Sequence, residues 1–190
     1  MPVQQGRAVI RPAASARYDA LAIAFHWLMF VLVAVAYASI ELRGFADKGT
    51  AARMVVMELH KWSGALVLVL AVPWLLWRLM RGAPAQQGYS RLGRLPGAIM
   101  NGLLYVFLFA QPILGILMMN ADGRLLEVPG LGVSLPALIA PDAALKDLLG
   151  GIHETVGKAF YLIIGLHAMA ALFHHYMLSD DSLRRILPRK

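Results

Sequence analysis

The stretch His153–His175, HETVGKAFYLIIGLHAMAALFHH, decides the fold, because it sets four histidines in a run that is otherwise mostly apolar. Its most telling interval is the fourteen residues from His153 to His167. At about 100° per residue a helix comes back to within about 40° of its starting direction over that interval, and at about 1.5 Å per residue it rises roughly 21 Å. Two imidazoles therefore look the same way from opposite halves of a bilayer. Ionisable side chains are costly in hydrocarbon and mark function there. Two more, His26 and His60, lie in other apolar runs.

The composition agrees with a membrane setting. Of 190 residues 59% are hydrophobic and 15% charged, well short of the roughly 25% charge of a soluble domain. Four runs are long enough for a core of about 30 Å, which takes about 20 helical residues: Leu21 to Ile40, Leu59 to Leu79, Ile99 to Met119 and Ala159 to Leu178. The first contains Ala36-Tyr37-Ala38, similar to a signal-peptidase site, but it is longer than a secretory core and is read as a retained helix. Pro73 and Pro112 fall inside the second and third runs, where each removes one backbone hydrogen bond. The segment from Gly123 to Leu149 is expected to be an outer loop with short helical or interfacial pieces. Residues 1–17 are expected to be a cytoplasmic tail, and 18–190 one all-α, four-helix transmembrane bundle.

Lys and Arg set the orientation. The N-terminal tail, the loop after the second run and the C-terminal tail hold eleven basic residues against three acids; the opposite side holds seven against eight. Both termini are therefore expected in the cytoplasm. The net charge of +7 is a topology signal and not a nucleic-acid footprint.

With this topology the histidines pair by depth. His60 matches His153 near the periplasmic face, and His26 matches His167 nearer the cytoplasm. The chain has no cysteine, which excludes thiolate-ligated haem, c-type attachment and iron-sulfur clusters held by this chain. Zinc or copper would collect further thiolate or carboxylate ligands, which each pair lacks. A haem iron needs two axial ligands only, so the pairs predict two bis-histidine b-type haems stacked across the bilayer.

Gly64 follows His60 by one turn, and Gly157 follows His153 likewise; with Gly115 and Gly165 they give room either for a flat macrocycle or for ordinary helix packing. Phe160, seven residues from both His153 and His167, is expected between the two sites as packing. Met54, Met57, Met118 and Met119 read as core filling, and Trp62, Trp74 and Trp77 as interface anchors. His174 lies about 10 Å beyond His167 on nearly the same face. It is either a proton-handling group beside a quinone or an interfacial histidine.

From Tyr18 to Lys190 the sequence resembles the bacterial cytochrome b561 family, particularly its superoxide oxidase members. The matching pieces are Phe25-His26-Trp27, Arg43-Gly44-Phe45, His60 with Gly64, Pro112-Ile113-Leu114-Gly115, His153-Glu154, Gly165-Leu166-His167-Ala168, His174-His175-Tyr176 and Leu187-Pro188-Arg189-Lys190. The resemblance implies a bacterial inner-membrane protein with two b haems on His26, His60, His153 and His167. Superoxide would give electrons on the periplasmic side and ubiquinone would take them near the cytoplasm, with His174 at the quinone site. Arg43, Lys48, Arg53 and Lys61 would attract the anion at the outer mouth, or pair with haem propionates or with Glu41, Asp47 and Glu58. Lys158 is a further propionate candidate. The competing function is an electron-transfer subunit anchoring a hydrogenase or dehydrogenase partner protein.

Overall fold

Asp19 opens the first helix by accepting the Ala22 amide at 2.9 Å, which satisfies one of the donors that a helix start leaves unpaired. In the computed structural model, which describes residues 17–82, 91–128 and 130–188, this helix, α1, spans Ala20–Leu42 and runs into a 3-10 turn, Arg43–Phe45. Thr50 caps α2, Ala51–Arg81, which stops where Gly82 takes a φ of 70° and returns its N–H to the Arg78 carbonyl. α3 spans Arg91–Ala121 and continues through Pro96 and Pro112, as α2 does through Pro73. A two-residue hairpin follows, β1 at Glu127–Val128 and β2 at Val133–Ser134, with Val128 opposite Val133. The last helix, α4, spans Ala143–Tyr176 and starts at Asp142, whose carboxylate accepts the Leu145 amide at 2.9 Å.

All four helices are long and apolar enough to cross a membrane, so the chain is a multi-pass membrane protein and the expected helical bundle holds. The helices outrun the predicted spans except at the end of α4, which stops at Tyr176, two residues short of Leu178. α2 begins eight residues before Leu59 and α4 sixteen before Ala159, because Thr50 and Asp142 cap them in segments too polar to count as span. The predicted loop from Gly123 to Leu149 therefore ends at Asp142, and it carries a hairpin. Asn120 ties that loop to α3 by donating to the Arg124 carbonyl at 3.2 Å and accepting the Leu138 amide at 2.9 Å.

Met29, Val67, Ala71 and Leu108 form the core between α1, α2 and α3, and Ala65, Met119 and Leu126 a second cluster beneath the hairpin. Successive helices pack on one another, but the ring is not closed. Among the described residues no Cα of α1 comes within 8 Å of a Cα of α4, whereas closely packed helices run with axes about 8–10 Å apart. A slot therefore separates α1 from α4, and side chains cross it.

The two ends of the described chain meet. Arg17 Nε donates to the Arg184 carbonyl at 3.0 Å, and the Trp27 indole to the Ile186 carbonyl at 2.8 Å. This end is called the terminal end below, and the opposite one the hairpin end. Residues 1–16 of the predicted tail lie outside the described residues, as do Arg189, Lys190 and the side chains of Arg91 and Arg94.

Candidate functional site

The depth pairing read from spacing is present in space. Towards the hairpin end, the rings of His60 on α2 and His153 on α4 stand 6.1 Å apart with their planes at 86°. Towards the terminal end, His26 on α1 and His167 on α4 stand 6.5 Å apart at 47°. Imidazole nitrogens bind a metal at about 2 Å, and the ring centre lies about 1 Å behind the nitrogen, so one ion held between two rings puts their centres about 6 Å apart. Both pairs have that separation. Among the described residues no group of three or more His, Cys, Asp and Glu is assembled for a metal ion. Each pair offers two nitrogens only, the donor set of an iron that brings four more with its porphyrin.

The hairpin-end rings are anchored at the back. His60 Nδ1 lies 2.9 Å from the Ala36 carbonyl and His153 Nδ1 lies 3.1 Å from the Gln111 carbonyl. A carbonyl only accepts, so both Nδ1 atoms carry the proton and both Nε2 lone pairs stay available to a metal. His26 is framed differently, edge-on to Trp27 at 5.6 Å and to Trp74 at 6.4 Å. Trp74, expected as an interface anchor, thus stands beside a candidate ligand. Trp77 donates to Asp19 at 3.1 Å, and Trp62 packs beneath the hairpin.

The four glycines divide into two kinds. A Cβ on Gly115 would meet His153 Cε1 at 3.2 Å, and one on Gly157 would meet Gln111 Nε2 at 2.9 Å, so these two permit close contact between α3 and α4. Gly64 and Gly165 would meet nothing within 4 Å; open space lies before them. Between the two histidine pairs an aromatic layer crosses the slot. Phe160 stacks on Phe107 at 4.0 Å, Phe107 faces Tyr37, and the Tyr37 ring lies 4.4 Å from that of Tyr161. Tyr161 donates to Glu41 at 2.6 Å.

At the hairpin end a cavity of about 880 Å³ is lined by Arg53, Lys61 and Arg124 together with Met54, Met57, Glu58 and Glu127. Of the four expected cations, Arg53 and Lys61 line it, and Arg43 and Lys48 do not. Lys61 is ion-paired with Glu58, and Arg53 donates to the carbonyls of Arg43 and Ala46 at 2.8 and 3.1 Å. Lys158 pairs with Glu154 at 2.5 Å. Met119 is core, as expected, whereas Met54 is exposed at the cavity because α2 starts early enough to lift it clear. At the terminal end His174 Nδ1 lies 2.8 Å from the Asp180 carboxylate, and Asp180 also takes the Ser182 amide at 2.8 Å. Sequence reasoning missed Gln111, Tyr37, Asp180 and Arg124. Of these only Gln111 carried a signal, an amide deep inside an apolar run.

A four-helix membrane bundle with imidazoles facing each other at two depths has the build of a membrane cytochrome. The profile of the family described as Prokaryotic cytochrome b561 matches residues 17–189. The chain is 34% identical to Cytochrome b561 homolog 1 of Escherichia coli (strain K12) over 175 residues, covering 92% of this chain and 98% of the relative. It is 32% identical to the Probable superoxide oxidase CybB of Yersinia pestis over 182 residues, covering 92% and 97%. It is also 32% identical to Cytochrome b561 homolog 2 of Escherichia coli (strain K12), covering 90% and 91%. The chain belongs to the prokaryotic cytochrome b561 family: it is a membrane electron-transfer protein of a family that implies b-type haem.

Proposed function

We propose that the protein holds two b haems, one between His60 and His153 and one between His26 and His167, and transfers electrons from superoxide to ubiquinone. The observation that carries the reading is the pair of imidazole pairs, each at the spacing of a shared iron, at two depths of the bundle, one between α2 and α4 and one between α1 and α4. Held by these histidines, haem would supply one-electron exchange. Gly64, one turn after His60, leaves room beside that ring for a flat macrocycle.

The hairpin end faces the periplasm in this reading, and the terminal end, with both termini, faces the cytoplasm across the bacterial inner membrane. Arg53, Lys61 and Arg124 draw a small anion into the cavity between α2 and the hairpin. Arg43 lies beside that mouth through its carbonyl contact with Arg53. Lys158 remains a propionate candidate that would exchange Glu154 for the haem carboxylate. Two superoxide anions each lose one electron and leave as dioxygen; the quinone takes the two electrons and two protons. His174, held by Asp180, sits where an imidazole can pass protons to that quinone. The superoxide arm draws support from the similarity to the Probable superoxide oxidase CybB of Yersinia pestis.

Stopped-flow mixing of the purified protein with superoxide alone tests the reading. It predicts rapid haem reduction, and reoxidation when ubiquinone is added. Inertness towards superoxide, with copurification of a dehydrogenase or hydrogenase, would replace it with the partner-subunit function.

A further inference from the structure

Gln111 is bound to His153 twice, in opposite directions. Its main-chain carbonyl receives His153 Nδ1 at 3.1 Å, and its side-chain Nε2 donates to the His153 carbonyl at 2.7 Å. Gln111 Oε1 is buried without a donor among the described residues, so the His153 carbonyl alone dictates which way the amide points. Two glycines close the arrangement. Gly157 gives the amide its space and Gly115 gives the ring its space; a methyl group on either would press on the clasp at 2.9 or 3.2 Å. An amide in an apolar span is costly and is retained there for what it holds.

What it holds is an orientation. The His153 and His60 planes lie crosswise, at 86°, while the His26 and His167 planes lie at 47°. His60 is fixed by the Ala36 carbonyl, so the crossing angle at the hairpin end depends on how firmly the His153 ring is held. In ferric haem each axial imidazole interacts with the iron d orbital perpendicular to its plane. Crossed planes treat the two orbitals alike and give a highly anisotropic low-spin signal; planes nearer parallel separate them and give a more rhombic one. Ligand orientation set from behind is a principal lever on such a metal.

We propose that Gln111 is the positioning residue of the hairpin-end haem, its two hydrogen bonds to His153 holding that imidazole crosswise to His60 and making the two haems electronically distinct. The proposal rests on the ligand reading above. Its test is electron paramagnetic resonance of the ferric, haem-loaded protein, with haem content measured on the same sample. Wild type is expected to give two low-spin signals, the more anisotropic of which disappears in His60→Ala. Gln111→Leu removes the side-chain bond, and Gly157→Ala displaces the same amide while leaving Gln111 in the chain. Both variants are expected to move the more anisotropic signal towards smaller g, with a matching shift in that haem's midpoint potential, and to leave the other signal in place. A wild type with fewer than two haems overturns the ligand reading and this proposal with it. Two haems with unshifted signals in both variants overturn this proposal alone. Where Gln111→Leu loses the hairpin-end haem, Gly157→Ala decides: a shifted signal upholds the proposal and an unshifted one overturns it.

Discussion

The Tyr37 hydroxyl on α1 donates to the Gly157 carbonyl on α4 at 2.8 Å, crossing at mid-depth a slot whose two walls do not otherwise pack along their backbones. The bond sits between the two histidine pairs and in the aromatic layer with Phe107 and Tyr161. One hydrogen bond contributes about 1 kcal/mol net, and here it acts where few other contacts close the slot. Tyr37→Phe is therefore expected to keep both haems and lower stability by about 1 kcal/mol. Thermal unfolding of the haem-loaded protein in detergent checks this, and an unchanged midpoint would show that the slot is held by other means.

Replacement of the histidines separates the two sites. If each pair shares one iron, as proposed, His60→Ala or His153→Ala is expected to remove mainly the hairpin-end haem, and His26→Ala or His167→Ala mainly the terminal-end one. Reduced-minus-oxidised spectra of the four variants should fall into two classes along these lines. Loss of the same haem in His60→Ala and His26→Ala would break the depth pairing.

Cations at the hairpin-end cavity should govern the approach of superoxide. Changing Lys61 and Arg124 to Glu reverses the sign of two of its three basic side chains. Haem reduction by superoxide is expected to slow severalfold at low ionic strength, and the difference from wild type to shrink as salt shortens the reach of the charges. A rate equal to wild type in low salt would remove the cavity from the entry route.

At the other end, His174→Ala and Asp180→Asn are expected to retain both haems and reduction by superoxide, yet slow reoxidation by ubiquinone severalfold. Asp180 accepts at Nδ1 of His174, so Asn in its place weakens the hold on the ring without removing it. Its effect should accordingly be the smaller of the two. Sequential stopped-flow measurements separate the steps, and unaltered quinone-driven reoxidation in His174→Ala would leave it as an interfacial histidine.

The pairing was legible in the chain because a helix converts sequence interval into depth and direction by fixed geometry, so the fourteen residues from His153 to His167 had one physical meaning. The four spans were legible for the same kind of reason, through hydrocarbon thickness. Their ends were not: Thr50 and Asp142 look like loop residues until a backbone amide is seen on each side chain. The slot depends on which helices fail to touch, which no interval reports. Gln111 is not legible because its partner, His153, lies on another helix, and the contact of Trp74 with His26 is not legible because an indole towards a helix end suits both an interface and an imidazole. Of the glycines, periodicity could mark all four but only packing could divide Gly115 and Gly157 from Gly64 and Gly165.

Whether two irons sit between the two pairs of imidazoles is read from the haem content of the purified protein, by pyridine haemochrome assay against chain concentration. Two bis-histidine irons require two b haems per chain with low-spin spectra and no open axial position. One haem per chain, or none, would contradict the pairing.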